Sequence, residues 1–308
     1  MELRHLRYFV MVAEERHFTR AAARLNMQQP PLSQQIRALE DELGFELFKR
    51  HPKGVDLTTG GSVFLEEAKA ILARVQDGAR RAARVAGGVE GTLNIGFTSS
   101  AAAHPLIPRI IRAYREQFPA VVITLAEANA RQLTERARVG ELEVGILRAP
   151  VSRPGGIEFH RLLVEELLWV LPVGHKALSA SAGPVDIQAM RDERFILVRR
   201  PGAPGMYANL LQACEAAGFE PHVAFEVERM LTNVSLVAAG EGVSVVPASM
   251  RDIHGESVVY RRIQGARPRL VAPLTLACRS FNPSPALQNF VRLARQLAKE
   301  YRVQQLGK

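Results

Sequence analysis

Apolar positions in the first ninety residues recur at helical spacing. Leu6, Phe9, Val10 and Ala13 make one stripe along a segment from about Arg4 to Glu15, the pattern of a helix with one face turned inward. Ala21, Ala22 and Leu25 mark the inner face of a shorter helix over about Thr19 to Leu25, where small alanines let a neighbouring helix approach closely. Leu32, Ile36, Leu39 and Leu43 follow at steps of four, three and four, one clean face of a third helix. Gly44 then supplies the residue that most readily takes the left-handed conformation at a helix end.

Two adjacent prolines, Pro30 and Pro31, stand at the head of this third segment. Inside a helix each would remove a donor and clash with the preceding turn, at about 3 kcal/mol or more. In the first turn the amides have no internal partners, so proline is tolerated and its fixed φ helps. The pattern predicts a turn over Asn26-Met27-Gln28-Gln29, with Pro30 or Pro31 as the first helical residue. Opposite the leucine face lie Gln29, Ser33, Gln34 and Arg37, side chains able to hydrogen-bond base edges and phosphates. Two helices joined by a short turn, the second polar on its outer N-terminal side, form a helix-turn-helix. The acidic run Glu40-Asp41-Glu42 falls at the far end. A three-helix protein-binding module is the alternative use of the same apolar pattern.

Beyond Gly44, "FELFKR" and "VDL" are short strand candidates and "HPKG" is turn chemistry. The hairpin would be a basic wing carrying Lys49, Arg50 and Lys53, lying over the DNA backbone or reaching into the minor groove. Thr58 or Thr59 caps a long helix to about Val85, in which Phe64, Ala68, Ile71, Val75, Gly78 and Ala82 alternate at four and three. At ~1.5 Å per residue it would span about 40 Å. A rod with one apolar seam is expected to pack on a copy of itself, and "AGGVEG" (86–91) is the hinge beyond it.

From Gly91 the period changes. "LNIGF", "VVITLAEA" and "EVGIL" read as strands, separated by helices near Pro105–Gln117 and Arg131–Val139. A second set, "LLWVLPV", "RFILV", "HVAFEV" and "VSVVP", alternates with helices near Tyr207–Ala217 and Leu231–Ala239. "PLTLAC" and a last helix near Pro285–Tyr301 return to the first set. Such alternation gives mixed sheets flanked by helices. The expected organisation is α/β: a winged helix-turn-helix over 1–58, a linker helix and hinge over 59–90, and a two-lobed domain over 91–308. Lobe I takes about 91–162 and 267–308, lobe II about 163–266.

Composition changes this picture little. The chain has 308 residues, 47% hydrophobic and 23% charged, ordinary for a globular protein. No run approaches the ~18 apolar residues of a membrane span, and the N-terminus lacks a signal peptide's apolar core. The two cysteines, Cys214 and Cys278, have no metal-ligand spacing and read as core thiols in a reducing compartment. A cytoplasmic protein without metal or cofactor is expected. The net charge is +9, yet residues 1–58 hold nine Lys/Arg against eight Asp/Glu, a net of +1. Local arrangement, not bulk charge, must identify a nucleic-acid reader here.

The run "LRYFVMVAEERHFTRAAARLNMQQPPLSQQIRALEDELGFELFKR", followed by "LTTGG", resembles the LysR-type transcriptional regulators, a bacterial family. The resemblance implies that Gln29, Pro30, Pro31, Ser33, Gln34 and Arg37 face the major groove, with Lys53 on the wing. Gln28 stands where a capping serine is common. Gln34 replaces a common arginine, which shifts expectation from guanine towards adenine readout. The two lobes resemble the periplasmic-binding-protein fold, the family's effector domain. "LVAAGEGVSVVPAS" (236–249) resembles its counterpart in members that control aromatic-compound breakdown. The implied protein is a dimer of dimers on double-stranded promoter DNA. It would answer a small anionic effector, an aromatic acid or ring-cleavage product, by relaxing DNA bending and freeing the promoter for RNA polymerase.

Ligands of open α/β lobes bind at strand C-termini, in the cleft between lobes. The first strand ends at Thr98, Ser99 and Ser100, just before a helix, either a carboxylate seat or an ordinary cap. Arg148, after the strand "VGIL", would pair with an acid in the same cleft, or serve as a solvated or interface arginine. The loop "VRRPGAPGMY" would complete the pocket through Gly202, Pro204 and Met206. Ala130 occupies a position where relatives commonly place a ligand-contacting threonine or serine, and His104 before Pro105 reads as a turn residue. No catalytic residue is assigned. The chain has no Gly-x-Ser-x-Gly elbow, phosphate loop or His-Glu-x-x-His, and "GEG" at 240–242 precedes a strand, the wrong context for a dinucleotide site. A transport solute-binding protein and an enzyme of small-acid metabolism are the rival classes, and the N-terminal ninety residues fit neither.

Overall fold

The opening periodicity forms helices α1 (Leu3–Glu15), α2 (Phe18–Arg24) and α3 (Gln29–Leu43), then a hairpin of β1 (Phe48–His51) and β2 (Gly54–Leu57), then α4 (Thr59–Ala86). The computed structural model describes residues 1–148, 154–178, 182–198, 207–281 and 284–306. It divides into two units, Met1–Arg84 and Val85–Lys308.

In the first unit Leu6, Phe9, Val12, Ala13, Phe18, Leu32, Ile36 and Leu39 are buried together. Val12, not Val10, completes the α1 stripe. Phe9 is the centre: its ring lies 5.3 Å from Phe48 of the hairpin and 5.3 Å from Phe64 of α4. The α2–α3 connection is a Schellman turn. Asn26 takes φ 51, with Met27 N–H donating to Ala22 O at 3.0 Å and Asn26 N–H to Ala23 O at 3.1 Å. Helix α3 consequently starts earlier than expected: Gln28 is the N-cap, without a side-chain cap bond, and Gln29, Pro30 and Pro31 fill the first turn. The prolines still occupy positions whose amides would have no helical partner.

The hairpin is shorter than "FELFKR" suggests. Glu40 Oε1 accepts from Leu47 N at 2.8 Å and Phe48 N at 3.2 Å, so Leu47 and Phe48 are tied to α3 and pairing begins at Phe48↔Leu57. At its other end Val55 N–H donates to Arg16 O at 3.0 Å, fixing the wing against the α1–α2 corner. Thr58 Oγ1 caps α4 by accepting from Gly61 N at 2.8 Å. Phe64 and Ala68 pack on the unit's core, whereas Ile71 and Val75 further along the seam are 38% and 41% exposed.

The second unit contains β3 (Glu90–Phe97), α5 (Ser99–Ala102), α6 (Leu106–Gln117), β4 (Ala120–Glu127), α7 (Ala130–Val139), β5 (Val144–Arg148) and β6 (Ile157–Pro172). Then come β7 (Val185–Asp186), β8 (Arg194–Val198), α8 (Ala208–Ala216), β9 (His222–Val227), α9 (Met230–Ala238), β10 (Ser244–Pro247), β11 (Val258–Gln264), β12 (Val271–Arg279) and α10 (Pro285–Leu306). One sheet runs β4-β3-β5-β12-β6-β11-β7, with β10 also on β6; β8 and β9 form a separate pair. The sequence reading begins β6 at Leu167, ten residues late, and omits β7 and β11. The first half of β6, "IEFHRLLVEE", mixes charges into its apolar run, and β11 carries Arg261-Arg262 in its middle.

Strand β6 belongs to both lobes. Residues 157–166 pair with β12, and residues 167–172 pair with β10 and β11. The crossing thus falls at Glu166–Leu167, four residues beyond the expected lobe boundary. Lobe I packs α6 and α10 on its sheet around Ile95, Ile110, Tyr114, Leu276 and Phe290. Lobe II surrounds Trp169, Phe195, Tyr207 and Val245. Cys214 and Cys278 are buried in separate lobe cores, and burial pushes both thiols up to about 11.

Ile36 is fully buried in the first unit's core. Ile36→Ala should cost about 2–5 kcal/mol, read as a lower chemical-denaturation midpoint for that unit.

Candidate functional site

The outer side of α3 is open. Gln29, Pro30, Pro31, Gln34 and Arg37 are exposed and Ser33 is half-buried, while Leu32, Ile36 and Leu39 behind them are fully buried. Two of these polar side chains have partners the sequence did not signal. Thr19 Oγ1 of α2 donates to Gln29 Oε1 at 3.5 Å. Arg50 Nη1 donates to Ser33 Oγ at 3.2 Å, and its guanidinium lies 4.9 Å from the centre of the Phe18 ring. Arg50 therefore joins the wing to α3, and its bond to Ser33 Oγ leaves the hydroxyl proton free to donate outward. Lys53, exposed, sits in the two-residue turn with Pro52. His51 Nδ1 accepts from Lys53 N at 3.3 Å, and its Nε2 lies 3.3 Å from Asp56, so two neighbours orient the tip.

In the second unit the end of β3, α5 and the end of β5 come together. Thr98 caps α5, its Oγ1 accepting from Ala101 N at 3.2 Å, and Ser100 Oγ lies 3.4 Å away. The capping role of the "TSS" run is therefore realised. Arg148 is the last residue of β5, not a loop residue, and is 5% exposed. Its guanidinium donates to Ala272 O at 3.2 Å, Ser100 O at 3.1 Å and Ser249 Oγ at 3.1 Å, and pairs with Glu165. Glu165 in turn accepts from Ser249 N at 2.7 Å and Ser249 Oγ at 3.0 Å. The acid expected opposite Arg148 is thus an internal one. Burial lowers the arginine's pKa against the pull of Glu165, and its Nε is buried without a partner.

This cluster joins the lobes: Arg148 and Glu165 stand on lobe I strands and Ser249 follows β10 of lobe II. His104 is no simple turn residue either. It is 3% exposed, its Nδ1 accepts from Leu106 N at 3.1 Å, and burial drives its pKa down to about 4. Glu165 and Ser249 escaped the sequence reading. The one available signal was the Glu165-Glu166 pair inside the apolar run "RLLVEELLWVLP".

A groove of about 790 Å³ opens between the C-terminal end of β4 with the first turns of α7 and Glu228 beyond β9; Glu127, Asn129, Arg131 and Gln132 line it. Arg229 of lobe II reaches Glu127 of lobe I at 3.7 Å across its mouth. The volume suits a small molecule. Ala130 stands at its edge as the first residue of α7, behind the Asn129–Gln132 capping box. Thr98, Ser99, Ser100 and Arg148 do not line this groove, and Gly202, Pro204 and Met206 lie outside the described residues. Among the described residues no cluster of metal-ligating side chains occurs, and no helix is long and apolar enough to cross a membrane.

Residues 3–62 match the model for the bacterial regulatory helix-turn-helix proteins of the lysR family, and residues 86–299 match the LysR substrate binding domain. The HTH-type transcriptional regulator AlsR of Bacillus subtilis (strain 168) is 37% identical over 294 residues, covering 96% of this chain and 95% of that protein. BenM of Acinetobacter baylyi, also an HTH-type transcriptional regulator, is 34% identical, covering 96% of each. The crystal structure of CbnR, a LysR family transcriptional regulator, superposes with a TM-score of 0.77 at 29% identity, covering 96% of this chain and all of that one. CbnR complexed with its target DNA gives the same score and identity. These relatives are transcriptional regulators, not enzymes.

Removing one member of a buried ion pair leaves an uncompensated charge, so Glu165→Ala should lower stability by about 3–5 kcal/mol. Replacing both partners with apolar residues, Arg148→Met with Glu165→Leu, should recover most of that loss in urea denaturation.

Proposed function

The chain belongs to the LysR family of bacterial transcriptional regulators, with a substrate-binding domain behind its helix-turn-helix, and we propose how its residues carry out that role. Helix α3 enters the major groove with Gln29, Pro30, Pro31, Ser33, Gln34 and Arg37 towards the duplex. Arg50 and Lys53 hold the wing on the phosphate backbone or in the minor groove. The observation that carries this reading is the opposition of faces on α3: Leu32, Ile36 and Leu39 have no exposure, and the other side is polar, proline-headed and open. Copies pair through the exposed apolar seam of α4, and two such pairs make a tetramer over neighbouring half-sites, whose spacing follows the protein's symmetry.

The effector in this proposal is a small carboxylate, an aromatic acid or its ring-cleavage product, held in the cleft between lobes. Thr98, Ser99 and Ser100 offer hydroxyls there, and Gly202, Pro204 and Met206 are proposed as further effector contacts. Arg148 acts through Ser100 and Ser249 as the lobe-joining cation. An effector shifts the lobes only through different affinity for two arrangements; the change in spacing of the DNA heads then relaxes promoter bending and admits RNA polymerase. Footprinting and circular-permutation bending assays on the protein's own upstream DNA, with and without carboxylates that pass a thermal-shift screen, test this scheme. An effector that binds tightly and leaves bending, footprint and transcription unchanged would refute it.

Ser33→Ala and Gln29→Ala should each weaken specific binding by ~1–3 kcal/mol. Lys53→Ala should weaken all sequences alike and reduce the slope of affinity against salt by about 1. Gel shifts at several salt concentrations check both. Arg148→Met combined with Glu165→Leu should retain operator binding and lose the effector response in a reporter assay; a normal response would remove Arg148 from the switch.

A further inference from the structure

A second groove, of about 440 Å³, lies on lobe I between β6, β12 and the first turns of α10. It is remote from the lobe junction: Arg148 pairs with Leu274 of β12, whereas the groove begins at Cys278, about 13 Å along the strand at ~3.3 Å per residue. Its walls carry two guanidinium groups of α10, Arg292 and Arg295, with His160 and one carboxylate, Glu158. Arg279 borders it, but its guanidinium lies on the other face of the sheet, against Gly140. With His160 neutral, two cations less one anion leave a local charge of +1.

The single carboxylate is already engaged. Arg295 Nη2 lies 2.7 Å from His160 Nδ1, and His160 Nε2 lies 3.4 Å from Glu158. This chain sets the tautomer, with Nδ1 accepting and Nε2–H directed at the carboxylate. Burial, and then the neighbouring Arg295, lower the His160 pKa, which favours the neutral ring. Among the described residues neither Arg292 nor Arg295 has a carboxylate within ion-pair distance. Arg292 is steadied by a neutral bond to Asn289 Oδ1 at 3.4 Å. Leu287 and Gln288 from the first turn of the 22-residue α10 line the same space. Convergent cations held in a concavity repel one another unless an anion joins them, and guanidinium forks match carboxylate and phosphate oxygens two at a time.

We propose that this groove binds a small dianion, a phosphate monoester or a dicarboxylate, at a site separate from the inter-lobe cleft. The site also touches the route to the linker helix. Asn289 Nδ2 donates to Gly87 O at 3.1 Å and Gly88 O at 3.3 Å, and Gly88 packs so closely on α10 that a Cβ there would meet Pro285 C at 2.4 Å. An anion that recruits Arg292 takes a bond from the residue holding the segment beyond α4, so occupancy would change DNA affinity.

Calorimetric titration of the full-length protein with inorganic phosphate and, separately, succinate, at fixed ionic strength against chloride, tests the proposal and tells the two sources apart. Saturable binding is expected for at least one probe. Arg292→Gln with Arg295→Gln, both exposed positions, should weaken it about tenfold or more, the loss of charged hydrogen bonds. Glu158→Gln, which removes the opposing charge, should tighten it. Absence of saturable binding at millimolar probe would overturn the site, as would an affinity unmoved by the arginine variants. Loss of binding in Ser100→Ala would instead place the anion in the cleft and equally end the proposal.

Discussion

A helix that shows one side to a partner has to be held entirely by the other, and here the hold is made by Leu32, Ile36 and Leu39. Each is fully buried, and burial of such side chains contributes about 1.5–3 kcal/mol apiece. That sum exceeds anything the exposed glutamines and arginine contribute to folding, so the outer face is free to be chosen for recognition. The rest of the unit serves the same orientation. Phe9 wedges between Phe48 and Phe64. Glu40 fastens the wing strand from the back of α3, and Arg50 fastens the wing to its front through Ser33.

The sensor unit solves a different problem, joining two cores through one sheet. It does so with a strand, β6, that changes partners halfway along, and with a buried charge pair placed just before the change. Removing a charge pair from water is costly, and its mutual attraction compensates only when further hydrogen bonds complete the geometry. Arg148 and Glu165 have those bonds, from Ser100 and Ala272 of lobe I and Ser249 of lobe II. A cluster whose satisfaction depends on both lobes reports their relative position. This suits a domain whose family role is to answer a small molecule.

Charge is used locally throughout. The excess over the chain is +9, while residues 1–58 carry only +1. In the proposed reading, recognition in the first unit rests on where Arg37, Arg50 and Lys53 stand, and part of the surplus collects at Arg292 and Arg295 in the groove of lobe I. The second half of the α4 seam, where Ile71 and Val75 are exposed, is the apolar counterpart.

Periodicity alone located α1 to α4 and most of the sensor's elements to within a few residues, because a 3.6-residue or two-residue repeat is a property of neighbours in the chain. The helix-turn-helix, its proline-headed third helix and its outward polar set were legible for the same reason. What periodicity could not supply was anything set by residues far apart. The true start of α3 depends on Asn26 closing a left-handed turn onto Ala22 and Ala23. The shortened hairpin depends on Glu40, which in the sequence is only one of three adjacent acids. Strand β6 was recognised only in its apolar half, since the charged half becomes a strand through pairing with β12, more than a hundred residues later. Arg148 was expected to meet an acid in the cleft, but its partner was decided in space: Glu165 and Ser249 reach it only once the lobes are assembled, and the low-dielectric junction they form exists in no single segment of the chain.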